Sequence, residues 1–196
     1  MSGDTHATVG VATALVSCVL NPWMTGSVGV GVVAAVVGAL YPDLDLGKSK
    51  GNKLMNKVLV YLVPAGLLVG FANRLGFVKM EVGKLAALIV LVLFGLFVRT
   101  RPHRELSHSL AALVGTTILV AFGTGGQVWV WYGIGYLSHL LIDLLNKKGE
   151  SLLWPLPEKF NLNLCSSNGV VNQLMRYVAV VIAVLALACL KAGGQK

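Results

Sequence analysis

Four histidines and four aspartates are all that the 196 residues contain of those two types, and most stand at the edges of apolar runs. His139 and Asp143 are four residues apart in such a run, so a helix there projects both from one face. An ionisable pair on an apolar helix faces the interior of a bundle and is a functional candidate; a His–Asp hydrogen bond that only ties helices together is the plain alternative. Tyr41-Pro42-Asp43-Leu44-Asp45 closes another run with two carboxylates two residues apart. By itself that turn is an ordinary helix exit. The stretch Arg101-Pro102-His103-Arg104-Glu105-Leu106-Ser107-His108-Ser109 sets two imidazoles before a further run. Pro102 keeps a helix from running straight in, and Ser107 is suited to cap the helix that follows. His103 is then a loop residue and His108 a first-turn residue, approaching one ion from different directions. His6 stands at the start of the first apolar run.

The candidates His6, Asp43, Asp45, His103, His108, His139 and Asp143 make four imidazoles and three carboxylates, with no thiolate. Such a set suits zinc first, with manganese or iron as alternatives, over calcium, which prefers an all-oxygen shell. Seven donors exceed the positions of one tetrahedral zinc, so one ion, or two sharing a carboxylate, is expected. A two-metal site lowers the pKa of a bound water to about 7 and clamps the attacking and leaving oxygens of a displacement. Arg104 and Lys48 are candidates to hold phosphate oxygens. Interfacial anchoring is the plain reading of both. Ser107 and Ser138 read as partners of ligands or as helix-packing residues rather than nucleophiles.

The elements that must position these groups are apolar helices. Apolar residues make up 56% of the chain and 23 glycines add to them, while charged residues are only 12%, about half the ~25% usual in soluble domains. Mean hydropathy is +0.76. A water-soluble globule and a disordered chain are excluded. The net charge of +8 comes from basic residues placed singly between apolar runs, as membrane anchors are, and not from a nucleic-acid surface. Cys18, Cys165 and Cys189 have no metal or disulfide spacing. Met1-Ser2-Gly3-Asp4 lacks the basic start of a cleavable signal and is taken as the mature start. The expectation is a single all-α integral membrane domain over 1–196, a polytopic bundle of about seven apolar helices.

Those runs lie at about 7–20, 24–40, 58–72, 85–98, 109–122, 127–145 and 177–190. Several fall short of the ~20 residues of a perpendicular crossing, so some are expected to be re-entrant or extended by polar turns. Pro22 and Pro64 loosen or kink helices. Pairs of runs return the chain to its starting side whether they cross or not. That side holds the N-terminus and loops 41–57, 99–108 and 146–176, with eleven of the sixteen Lys and Arg. By the positive-inside rule it is cytoplasmic. All four histidines gather there, with Asp43, Asp45 and Asp143.

The same motifs resemble the YdjM-like family of membrane-bound metal-dependent hydrolases. The resemblance rests on His6, on Leu40-Tyr41-Pro42-Asp43-Leu44-Asp45 followed by Lys48-Ser49, and on His103-Arg104-Glu105-Leu106-Ser107-His108-Ser109. It continues through Gly135-Tyr136-Leu137-Ser138-His139-Leu140-Leu141-Ile142-Asp143 and then Gly149, Leu152, Leu153, Trp154 and Pro155. Leu46 departs from relatives with a histidine there, and Pro102 and Glu105 stand where glycine is common. The resemblance implies an inner-membrane hydrolase using a divalent metal at the cytoplasmic face. A phosphoester or ester of a lipid-like or other small molecule is the expected substrate, and membrane lipids are the expected partners. A lipid phosphatase with a histidine nucleophile fits less well, because Gly133 stands where its arginine belongs and Pro-Ser-Gly-His is missing. A metal transporter or sensor calls for ligands near the middle of the bilayer, whereas these candidates lie near one face.

Overall fold

The computed structural model describes residues 1–21, 23–24, 28–45, 56, 75, 81–167 and 169–193. Among them the chain forms six α-helices and no β-strand. They are α1 (Gly3–Leu20), α2 (Val28–Leu40), α3 (Val82–Val98), α4 (Leu110–Thr124), α5 (Val128–Asp143) and α6 (Val170–Gly193). Two short 3-10 turns, Pro42–Asp45 and Leu106–His108, carry candidate ligands. The all-helical expectation holds. The run at 58–72, with Pro22, Pro64, Leu46, Lys48 and Ser49, lies outside the described residues.

Length separates the helices into two classes. Only α1 and α6, of 18 and 24 residues, are long and apolar enough to cross a bilayer. The apolar helices α2, α3 and α4 have 13, 17 and 15 residues, against the ~20 of a perpendicular crossing. Seven full spans are therefore not what the described residues display. Apolar side chains nonetheless face outward: Val170, Leu174, Val181, Val184 and Leu185 on α6, and Val33, Val114 and Phe122 on α2 and α4, are more than half exposed. A hydrocarbon surround accepts such a surface and water does not.

Two of the helix starts, those of α1 and α4, are fixed by hydroxyl caps. Ser2 Oγ accepts from the backbone of Thr5 at 3.4 Å to open α1, and Ser109 Oγ accepts from Ala112 at 3.1 Å to open α4. The expected cap Ser107 is displaced from that role because the 3-10 turn Leu106–His108 precedes the helix. Its hydroxyl is used elsewhere, as described below.

The core is a stack in which α2 lies against both α1 and α5, while α6 covers α1 and the α3–α4 pair flanks α5. Helices α2 and α5 touch backbone to backbone. A Cβ at Gly38 would fall on the carbonyl of Tyr132, and one at Gly135 on the carbonyl of Ala35. Only glycine permits that approach. Tyr41, Tyr132 and Tyr136 fill the space beside the contact, with Leu140 and Val98. The segment after α5 folds back on itself, pairing Glu150 with Phe160 through backbone bonds of 3.0 and 2.9 Å. It is tied to the segment before α4 by Ser151 N to Arg104 O at 3.2 Å and Leu110 N to Leu152 O at 2.9 Å. These ties gather the ends of several elements at one end of the bundle.

Candidate metal centre

His139 sits in the last turns of α5, next to the glycine contact with α2. That contact puts the Ala39 carbonyl 2.7 Å from His139 Nδ1. A carbonyl can only accept, so Nδ1 carries the proton and Nε2 of the neutral ring presents a bare lone pair. His108 is oriented the same way from the other side. Its Nδ1 lies 3.0 Å from Ser107 Oγ and 3.4 Å from Asp45 Oδ2. Ser107 donates its own proton to Asp45 Oδ2 at 2.5 Å, which leaves oxygen lone pairs for the His108 Nδ1–H. The two Nε2 atoms then face each other at 3.2 Å. Asp43 Oδ1 stands 3.9 Å from each of them.

Asp45 is the support for this arrangement. Its oxygens also meet His103 Nδ1 at 2.6 Å and the backbone N–H of Arg104 at 3.1 Å. Burial alone would raise its carboxyl, but the hydrogen bonds it receives from His103 and His108 hold it well below the usual carboxylate range. It is an ionised acceptor at neutral pH. Arg104 takes a left-handed backbone conformation, φ 69°, which turns its N–H toward Asp45 while its side chain runs back to α5.

The His6 and Asp143 end of the site is built differently. The His6 ring stacks on that of His139, with centroids 3.7 Å apart and planes 15° from parallel. Its Nε2 lies 3.2 Å from Asp143 Oδ1, close enough for an ion pair, yet neither ring nitrogen has a hydrogen-bond partner. Asp143 Oδ2 accepts from Arg104 Nη2 at 2.6 Å, and Oδ1 meets the amino group of Met1. Arg104 Nη1 donates to the Lys148 carbonyl.

The structure thus brings together all seven candidate donors: His6, His108, His139, Asp43, Asp45 and Asp143 are buried, and His103 is half-buried. Three groups of three have donor atoms mutually within 4.8 Å: His6–Asp43–His139, Asp43–His103–His108 and His108–His139–Asp143. Asp43 belongs to two of them. The geometry suits a metal on a physical test. Two bare lone pairs at 3.2 Å repel unless something lies between them. Zinc–nitrogen bonds of about 2.0–2.1 Å at the tetrahedral angle separate two nitrogens by about 3.4 Å. A shared proton would join the two nitrogens alone; a cation there also draws on Asp43 Oδ1, 3.9 Å from each.

Arg104, expected as a contact for phosphate oxygens, has a buried guanidinium occupied by Asp143 and the Lys148 carbonyl. Lys48 lies outside the described residues. The residue sequence reasoning missed is Glu150. It is fully buried, and neither carboxylate oxygen has a hydrogen-bond partner. Burial first, and then the negative charge of Asp143, push its carboxyl up to about 9 against the opposing charges of Arg104 and the amino terminus. The only signal in the sequence was an acid next to Gly149 in an otherwise basic stretch.

A model of the YdjM inner membrane protein family matches residues 1–194, which includes every residue of this centre. The chain belongs to that family. Comparison with curated proteins and with solved structures gave no match. Family membership makes the chain an inner membrane protein, in accord with the outward apolar faces of α2, α4 and α6. The described Ser138 hydroxyl, inside the Gly135–Asp143 motif, bonds back to the Gly135 carbonyl at 2.7 Å and serves the helix rather than the centre.

Proposed function

We propose that this family member is a membrane-embedded, metal-dependent hydrolase working at the cytoplasmic face on a phosphoester or ester of a lipid-like molecule. The observation that carries the reading is the pair of bare Nε2 atoms of His108 and His139, 3.2 Å apart with Asp43 Oδ1 beside both. His108 and His139 would hold one divalent ion between their Nε2 atoms with Asp43 as third donor, and His6 or His103, which converge with Asp43 in the other donor groups, would help to hold a second. Zinc is the first candidate and manganese or iron the alternatives, because the donors are imidazole and carboxylate. When bound, such ions supply Lewis acidity that makes a water nucleophilic near neutral pH and stabilises charge on the oxygens under attack.

The remaining roles belong to the chain. Asp45 fixes the tautomer and direction of His103 and His108 through bonds at 2.6 and 3.4 Å. The Ala39 carbonyl does the same for His139. Arg104 holds Asp143. Lys48, in the same predicted loop as Asp45, is proposed to meet the substrate's anionic oxygens. The cytoplasmic placement rests on the excess of Lys and Arg on that side of the chain.

Metal analysis of the detergent-purified protein beside His139→Ala, together with turnover of a panel of phosphoesters and acyl esters, tests the proposal. Wild type is expected to carry metal and hydrolyse at least one member; His139→Ala is expected to lose both. Chelation should abolish turnover, and added Zn²⁺ or Mn²⁺ should restore it. Hydrolysis that persists in a verified metal-free preparation would overturn the mechanism. Metal flux into sealed vesicles without hydrolysis would mark a transporter instead.

A further inference from the structure

Asp143 belongs to one of the converging donor groups, yet both of its oxygens are engaged by protein cations. Oδ2 accepts from Arg104 and Oδ1 meets the Met1 amino group and His6. An oxygen held by a guanidinium is a poor metal ligand, so turning Asp143 Oδ2 to an ion strands the Arg104 charge. That charge is buried, since Arg104 is 5% exposed. A buried cation without a counter-charge is strongly disfavoured.

The structure holds one acceptor for it. Glu150 is fully buried with both oxygens unpartnered, and the Nε of Arg104 is likewise without a partner. The two residues act on each other electrostatically. The residue after Glu150 is bonded to Arg104 through Ser151 N to Arg104 O at 3.2 Å, which keeps the two stretches of chain side by side. Glu150 is not a member of any donor group that converges within 4.8 Å, which separates it from the ligands. Once ionised, its carboxyl group has the two-oxygen shape that a guanidinium fork accepts.

We propose that Glu150 is a positioning residue, the carboxylate that receives the Arg104 guanidinium when Asp143 turns to the metal. The inference rests on the metal-centre reading above. Arg104 exchanges one carboxylate for another, and its Nε and an Nη gain the partners that Glu150 now leaves unused. Removing the charge of Glu150 therefore weakens metal binding without removing a ligand.

The test uses the full chain in detergent and Zn²⁺ alone, with affinity read by competition against a chelator and melting temperature read with and without the ion. Glu150→Gln is expected to keep the metal stoichiometry but bind Zn²⁺ about 10-fold or more weakly, the range found for groups that orient ligands. Its metal-free melting temperature should be no lower than that of wild type. Glu150→Asp, which keeps the charge, should recover part of the affinity. In an Arg104→Met background Glu150→Gln should have no further effect, because the partner is gone. Wild-type affinity in Glu150→Gln overturns the proposal, as does an equal loss in the Arg104→Met background. A metal-free melting temperature below wild type makes Glu150 an ordinary structural residue and also overturns it. Should wild type bind neither Zn²⁺ nor Mn²⁺, the metal reading itself falls and takes this exchange with it.

Discussion

A histidine whose Nδ1 is tied down has lost the freedom to choose its tautomer, and this centre contains two such rings facing each other. The ties are not equivalent. His139 relies on a backbone carbonyl, which no side-chain substitution removes, whereas His103 and His108 both depend on Asp45. Asp45→Asn is therefore expected to lower metal affinity by about 10–100-fold while leaving the ligands in place, whereas His139→Ala abolishes binding at its group. Chelator competition on the two variants side by side checks the order. Glu150 gives a second prediction, in metal-free protein. Its carboxyl is raised from an ordinary 4.5 to about 9, so between those values the folded state holds a proton that the unfolded state has released. Stability is then highest at low pH and falls as pH rises through that window. The loss is on the order of a few kcal/mol. Melting temperature from pH 5 to 9 should decline in wild type and flatten in Glu150→Gln. The histidines and aspartates were legible in the sequence because they are scarce and stand against apolar runs. Glu150 was not, because it lies in an irregular segment where no periodicity marks which side chains turn inward.

Contact between elements decides whether those residues meet. The bond from His139 to Ala39 exists because Gly38 and Gly135 let α2 and α5 approach backbone to backbone. Gly135→Ala would force the helices apart, a core overpacking that costs about 1–3 kcal/mol, and would lengthen the His139 tie. The expected result is a lower melting temperature together with weaker Zn²⁺ binding; Gly83→Ala, at a helix position where a Cβ meets nothing, should change neither. Element ends were less legible than element existence. The last apolar run was expected at 177–190, but α6 begins at Val170. Its polar first turns are used, since Asn172 accepts from Ser2 N at 3.1 Å and its side chain also meets Ser2 Oγ at 3.3 Å. Hydropathy marks the part of a helix that meets lipid and is blind to a polar turn that docks another chain segment. The cap went to Ser109 rather than Ser107 for a similar reason: a 3-10 turn between them freed Ser107 to serve Asp45.

Taken whole, the molecule places the start of α1, the Pro42–Asp45 turn, the segment before α4 and the segment after α5 at one end. Sidedness relative to the membrane is a separate expectation, read from the order of the apolar runs, in which pairs return the chain to its starting side. We propose from charge that this end faces the cytoplasm, because eleven of the sixteen basic residues are on its side. We expect cysteines introduced at Lys147 or Arg101 to react with a membrane-impermeant reagent only after the cells are opened. Strong labelling of a cysteine at Lys50 from outside intact cells would reverse the assignment. The number of complete crossings was not legible, because 13- to 17-residue helices read the same in sequence whether they tilt, stop short or thin the bilayer around them.

The stack of His6 on His139 also sets a schedule for the chain's synthesis. His6 is made early and its ring partner 133 residues later, which at roughly 5–20 residues per second is a wait of about 7–27 s. Throughout that interval the donor group of His6 is incomplete, with Asp43 made but His139 still to come. No ion can be captured by three of the converging ligands of the His6 group until α5 has left the ribosome and docked. On the proposed metal reading, loading of the His6 group is a late event in biogenesis, and a nascent chain stalled before residue 139 should bind no ion at that group, however much zinc or manganese the cytoplasm supplies.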